Sequence, residues 1–146
     1  NDRLLLLVER EEDVETAVRD LIRIGLDRID GWVPVEEALE QSGMTTSLEQ
    51  IATSQLESAL ANRPDAHVLD VRGAGEYAAG HVKGASNIAY TRLVPRKDEL
   101  PEDGPLFVHC ASGNRAAMAV AFLAREGREV VHVEGAFDEI IGSLQE

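Results

Sequence analysis

A single cysteine, Cys110, occurs in the 146 residues. No internal disulfide can form, so neither an oxidising compartment nor a cysteine-built zinc site is implied. Long apolar runs are missing too. The longest, Leu4 to Val8, is far too short to span a bilayer, and its charged flanks do not resemble a secretory signal. Cytoplasm is the expected location. Positive charge is scarce, with 14 Lys and Arg against 27 Asp and Glu and a formal net charge of −13. Nucleic acid phosphates and anionic membranes need clustered cations to gain counterion-release or surface-potential energy, so neither is expected as a partner. Histidine clusters are absent as well. His67, His81, His109 and His132 are scattered and no His-x-His-x-Asp pattern occurs, so no metal and no cofactor is expected.

What is present is a chain with 44% hydrophobic residues, enough to bury a real core in one ordinary domain plus a fragment. Ala66–Val71, Ala85–Ala89, Leu106–His109 and Val130–Val133 read as strands. Arg115 to Arg125 carries Met118, Ala121 and Phe122 at helical spacing and stops at Gly127. Ser54-Gln-Leu-Glu57 reads as a capping box opening a helix to about Asn62, before Pro64. Strands alternating with helices predict an α/β fold whose mostly parallel sheet is covered on both faces. Residues 36–50 begin as a short amphipathic helix and relax at Ser42-Gly43 into a polar linker, which places a domain boundary at 45/46.

The segment Arg3 to Val33 repeats the pattern of Pro105 to Ala136. Leu4–Val8 matches Leu106–Cys110, Ala17–Gly25 matches Ala119–Gly127, and Ile29-Asp-Gly31 matches Val133-Glu-Gly135 across a two-residue insertion. Half a domain is thus written twice, although strand–helix–strand similarity also arises by chance. In that register Val8 replaces Cys110 and Asp13 replaces Arg115, so residues 1–45 hold neither thiol nor cation at the corresponding places. An apolar strand starting almost at Asn1, without a leading Met, suggests a piece of something longer.

The chemistry is concentrated in His109-Cys-Ala-Ser-Gly-Asn-Arg115. A strand delivers Cys110 to the carboxyl edge of a parallel sheet, where ligands bind in open α/β folds. Four small or polar residues follow, Ala111, Ser112, Gly113 and Asn114, and Arg115 opens a helix. Such a turn lets successive backbone N–H groups face inward as an anion nest, and the helix adds its positive end. Both effects favour a thiolate, the nucleophilic form of cysteine. Taken alone, a cysteine ending an apolar strand is a small buried hydrophobe; the loop after it is poor core material and good anion-loop material. Arg72 ends a strand at the same edge, where it either binds an anionic donor or fixes a loop. Asp70 is expected to bond neighbouring backbone, His81 to fix the turn framed by Gly80 and Gly84, and His109 to pack on the strand face opposite Cys110.

Val68-Leu-Asp-Val-Arg72, Glu76-Tyr-Ala-Ala-Gly-His-Val-Lys-Gly-Ala85, Cys110-Ala-Ser-Gly-Asn-Arg115 and Val133-Glu-Gly-Ala-Phe137, in that order and spacing, resemble the rhodanese family over about a hundred residues, 46–146. The resemblance implies a three-layer sandwich with a five-stranded parallel sheet. It also implies a ping-pong sulfur transfer in which Cys110 becomes a persulfide. Ala111 to Arg115 would form the substrate cradle, with Arg72 as a further candidate. The partners implied are a small anionic sulfur donor, such as thiosulfate or a persulfide, and a thiol or cyanide-like acceptor. Protein-tyrosine phosphatases use a related loop with five residues between Cys and Arg; the four here make a tighter cup, and no Asp is evidently placed as a general acid. The alternative class is a non-catalytic docking or regulatory module. A catalytically inactive rhodanese-like first segment before an active domain further resembles the tail of fusions headed by a metallo-β-lactamase-fold domain. That domain, and a second copy of this chain, are the expected macromolecular partners.

Overall fold

In the computed structural model, residues 3–42 and 47–144 are described. The chain forms two compact units, Asn1–Ser47 and Leu48–Glu146. The boundary expected at 45/46 lies outside the described residues.

The first unit is β1 (Leu4–Val8), α1 (Val14–Arg23), β2 (Ile29–Pro34) and α2 (Val35–Ser42), with β1 and β2 parallel. Its sheet has two strands, and one sheet face is left bare: Leu5 is 65% exposed and Leu7 59%.

The second unit contains β3 (Glu49–Ala52), α3 (Leu56–Ala61), β4 (His67–Asp70), α4 (Ala74–Ala78), β5 (Ser86–Asn87), α5 (Leu93–Arg96), β6 (Leu106–His109), α6 (Asn114–Arg125), β7 (Val130–Glu134) and α7 (Phe137–Leu144). Its five strands are all parallel, in the order β3-β7-β6-β4-β5. The predicted α/β rhodanese-like sandwich is therefore the observed fold. Consecutive side chains on each strand point to opposite faces, so two cores form. Leu69, Leu106, Val108 and Cys110 pack under Ala116, Ala119, Val120 and Leu123 of α6. Val68, Phe107, Val131 and Val133 pack with Leu56 of α3 and Phe137 and Ile140 of α7. A buried Phe such as Phe107, fully sequestered, contributes about 3–5 kcal/mol against truncation to Ala.

Two elements differ from the sequence reading. β3 begins inside the segment read as the linker, taking Glu49 and Gln50 from it. Only Ile51 of its four residues is appreciably covered, because β3 is an edge strand paired on one side with β7, which leaves little alternation to read. The helix start before α3 also moves. Gln55 Oε1, 2.9 Å away, accepts the Ala52 N–H, while Thr53 bonds Glu139 at 2.6 Å, so the cap lies upstream of the Ser54–Glu57 pair.

The two segments matched in the sequence share their register through the helix cap and differ afterwards. Gly25 and Gly127 both adopt positive φ, 83° and 81°. The two caps match bond for bond: Leu26 N–H to the Leu21 carbonyl, and Arg128 N–H to the Leu123 carbonyl. Beyond them, Leu5 pairs with Gly31 whereas Phe107 pairs with Val131. The extra two residues therefore lie in the N-terminal segment, and Val33, rather than Ile29, occupies the place of Val133.

Candidate functional site

β6 ends at His109, and Cys110 follows it at the carboxyl edge of the sheet. The turn needs Gly113: its φ is 91°, a region L side chains rarely adopt. Gly113 caps α6, and its carbonyl accepts the Ala117 N–H at 2.8 Å. The Cys110 sulfur lies 3.4 Å from the Ala116 backbone nitrogen, which donates to it. No backbone hydrogen bond engages the N–H groups of residues 111–115 among the described residues, so the expected cradle retains its donors.

The sulfur is less open than expected. Cys110 is 2% exposed and belongs to the α6-side core. A cleft of about 130 Å³ is lined by Val71, Gly73, Glu76, Ala89, Tyr90, Thr91 and Arg115, and Cys110 is not part of its wall. Arg115 stands at this cleft in a bidentate pair with Glu76, both N–O distances 2.8 Å. That pair, helped by the Gly73 N–H, holds the Glu76 carboxyl down at about 2. It also raises Arg115, with Cys110 adding a smaller contribution of the same sign. The guanidinium is therefore a fixed positive charge in the cleft wall, partly neutralised there by the Glu76 carboxylate. The sequence motif contained Glu76 but gave it no role.

Ser112 and Asn114 sit exposed on the loop rim and Ala111 is partly covered; the Ala111 carbonyl accepts the Phe137 N–H at 3.0 Å, tying the loop to α7. Arg72 is not brought to this loop. It is 4% exposed, its guanidinium grips Asp70 (Nη2–Oδ2 2.6 Å) and the Gly80 carbonyl (2.7 Å), and it stacks 3.5 Å over the Phe137 ring. Of the two roles expected for it, the loop-fixing one fits this placement, because Nε and Nη2 are both taken by Asp70 and Gly80 and the guanidinium is buried. Asp70 does bond backbone, accepting the Arg72 N–H at 2.9 Å. His81 meets the Tyr77 carbonyl at 3.1 Å and stacks on the Tyr77 ring, fixing the turn between Gly80 and Gly84. His109 lies on the face opposite Cys110, stacked on Phe137, and burial drives its proton affinity down. Asn87, which sequence reasoning missed, donates to the carbonyls of Asp70 and Arg72 and secures the end of β4.

The family pattern of the rhodanese-like domain matches residues 52–143. The chain belongs to the rhodanese-like family. Among curated relatives, the uncharacterized protein YqhL of Bacillus subtilis is 32% identical over 81 residues, 55% of this chain and 64% of that protein. The chain thus spans less than two thirds of that relative's length. The thiosulfate sulfurtransferase GlpE of Pseudomonas entomophila is 34% identical over 84 residues, covering 56% of this chain and 77% of that enzyme. Among solved structures, a rhodanese-related protein from Thermoplasma volcanium superposes with a TM-score of 0.58 at 33% identity, over 64% of this chain and 91% of its own. Rhodanese relatives named as sulfurtransferases support a sulfurtransferase family for this unit.

Proposed function

We propose that residues 46–146 form a thiosulfate or persulfide sulfurtransferase working through a Cys110 persulfide. The observation that carries this reading is a cysteine sulfur that accepts the Ala116 N–H in the first turn of α6, next to a loop with unclaimed amides and to the charge of Arg115. With thiosulfate, the Cys110 thiolate attacks the outer, sulfane sulfur. The bond between the two donor sulfurs breaks, its electron pair leaves with sulfite, and Cys110 carries an extra sulfur. An acceptor thiolate then attacks that outer sulfur, the S–S bond to Cys110 breaks, and the thiolate is regenerated. The amides of residues 111–115 and the N-terminus of α6 stabilise the anionic persulfide between the two steps.

The burial of Cys110 favours a second reading, a docking or regulatory module in which the thiol is packing material. One experiment separates them. Treating the protein with thiosulfate or glutathione persulfide is expected to add about 32 Da, one sulfur, to the wild type and nothing to Cys110→Ser, with sulfur transfer lost in the variant. Equal transfer by both proteins removes the enzyme reading, and a wild type that never gains the mass establishes the module. Burst release of phenol from an aryl phosphate would instead favour phosphatase chemistry.

For the first unit we propose the carboxyl-terminal part of a second, inactive rhodanese unit. Its helix cap repeats that of α6, and its β1-to-α1 loop holds Arg10 bound to Asp13 in place of a cysteine cup. A preceding metallo-β-lactamase-fold domain belongs to the same proposal.

A further inference from the structure

The apolar stripe that the sequence places on α6 is not the face that the helix buries. Ala116, Ala119, Val120 and Leu123 form the buried face, while Met118 stays 57% exposed and Phe122 is half-buried. Val94 on α5 is 63% exposed as well. These side chains are not scattered. Tyr90, Leu93, Val94, Met118, Ala119 and Phe122 line one groove of about 240 Å³, and all six are apolar or aromatic. Exposed apolar residues standing singly are ordinary on a protein surface, whereas a concave apolar site is the form that holds a small ligand. The groove is roomier than the roughly 150 Å³ of an engineered apolar cavity that takes up benzene.

The groove is continuous with the cleft that holds Arg115. Tyr90 lines both. Helical spacing joins them a second time: Arg115, Met118, Ala119 and Phe122 fall at i, i+3, i+4 and i+7 of α6, one face of a helix. Arg115 stands at the end of that face where α6 begins, one residue before the Ala116 N–H that the Cys110 sulfur accepts. Glu76 fixes its guanidinium in the cleft, both N–O distances 2.8 Å. From Arg115 to Phe122 the face runs from a charged end to an apolar one over about 10 Å, at 1.5 Å per residue. A ligand matching it carries an anionic sulfur at one end and a carbon chain behind it. Thiosulfate, which has no carbon chain, leaves the groove empty.

We propose that the groove between α5 and α6 is a specificity site for the carbon chain of an organic thiol acceptor, with Tyr90, Val94, Met118 and Phe122 selecting an apolar chain. This rests on the sulfurtransferase reading of Cys110. The acceptor thiolate lies at the Arg115 end and attacks the outer sulfur of the Cys110 persulfide. The bond between the two sulfurs breaks, its electron pair returns to Cys110 as the thiolate, and the organic persulfide departs. Burial of the chain acts on this second half of the cycle alone, since a thiosulfate donor has nothing to place in the groove. Small polar thiols leave the groove to water and gain nothing from it.

The test loads the whole chain with thiosulfate and measures the second-order rate at which ethanethiol, propanethiol, butanethiol and hexanethiol remove the added sulfur. These thiols differ in chain length and hardly in acidity. The rate is expected to rise about two- to fourfold per methylene, the scale of moving one methylene out of water. Met118→Gln combined with Val94→Asn, both at exposed positions, is expected to flatten that dependence. The slope decides, because damage to the loop or the fold lowers all four rates alike and leaves it unchanged. A flat dependence in the wild type, or an unchanged slope in the double variant, overturns the proposal. Binding is followed separately through the ¹³C signal of the Met118 methyl, assigned by its loss in Met118→Gln. That signal is expected to move on titration with hexanethiol and to stay put with ethanethiol at equal concentration. A wild type that never takes up sulfur refutes the Cys110 reading, and the methyl signal still decides the groove: no movement with hexanethiol means that the chain does not bind there.

Discussion

Glu76 and Arg115 show how one side chain can moderate another. Two charge-assisted bonds hold the guanidinium, yet both partners are partly exposed, with side chains 43% and 37% accessible, so water screens the pair. In the proposed transfer, an anionic donor competes with Glu76 for Arg115. Glu76→Gln keeps an oxygen for the Gly73 N–H and removes the competing charge. The KM for thiosulfate is expected to fall roughly two- to fivefold, the scale of a surface ion pair worth up to about 1 kcal/mol, with kcat changed less. A KM that rises would mean that Glu76 orients Arg115 productively rather than blocking it. Arg72 illustrates the opposite case: its pairing with Asp70 is buried on both sides, and its work is architectural. Nothing in the string Leu-Asp-Val-Arg distinguishes these two arginines, since both end up near the same sheet edge. The difference lies in which sheet face each guanidinium reaches.

At the level of elements, β6, the turn and α6 form one unit that sets Cys110 on the helix N-terminus. The approach to β6 is equally constrained. Gly104, just before it, has φ +79°, and a Cβ there would come within 2.0 Å of the Asp65 carbonyl oxygen. That oxygen belongs to the turn entering β4, so Gly104 sets the spacing between two adjacent strand entrances. Gly104→Ala is expected to cost about 1–3 kcal/mol from the backbone conformation alone, with more from the clash, read as a lower midpoint in urea at unchanged slope. A midpoint equal to wild type would show that this turn relaxes freely. The strong strands were legible because buried parallel strands read as continuous apolar runs; α6 was legible as a helix, but the stripe read from Met118, Ala121 and Phe122 is not its buried face, which Ala116, Ala119, Val120 and Leu123 form. β3 was not legible, since an edge strand with one covered residue has almost no pattern. The strand pairing beyond α1 was misplaced for a related reason: the Gly25-to-Gly31 connection has no periodicity that fixes its length.

For the whole molecule, pH acts through buried and paired groups. Among the described residues neither nitrogen of His109 has a hydrogen-bond partner, and Nε2 lies 3.8 Å from Asp70. Desolvation lowers its folded value below the ordinary 6.5, Asp70 opposing. The unfolded chain therefore binds a proton that the folded chain refuses, and stability declines as pH falls through about 6.5. His109→Phe keeps the stack on Phe137 and removes two unpaired nitrogens, each costing about 1–3 kcal/mol when buried without a partner. The variant is expected to melt at or above the wild-type temperature, with a flatter dependence between pH 7 and 5.5. An unchanged slope would assign that dependence to another group. Glu76 acts in a lower window: its contribution is complete above the unfolded value of 4.5 and is lost as pH falls towards about 2.

By itself the sequence determined the α/β architecture, the cysteine and the loop that receives it, because hydrophobic periodicity and small-residue turns are local properties. Only the tertiary structure decided that Arg72 serves the scaffold, that Glu76 holds Arg115, and that Tyr90 lines one groove with Met118. Those pairings join residues far apart in the chain, and which of them meet depends on strand order, register and face, quantities that appear only once the sheet has assembled.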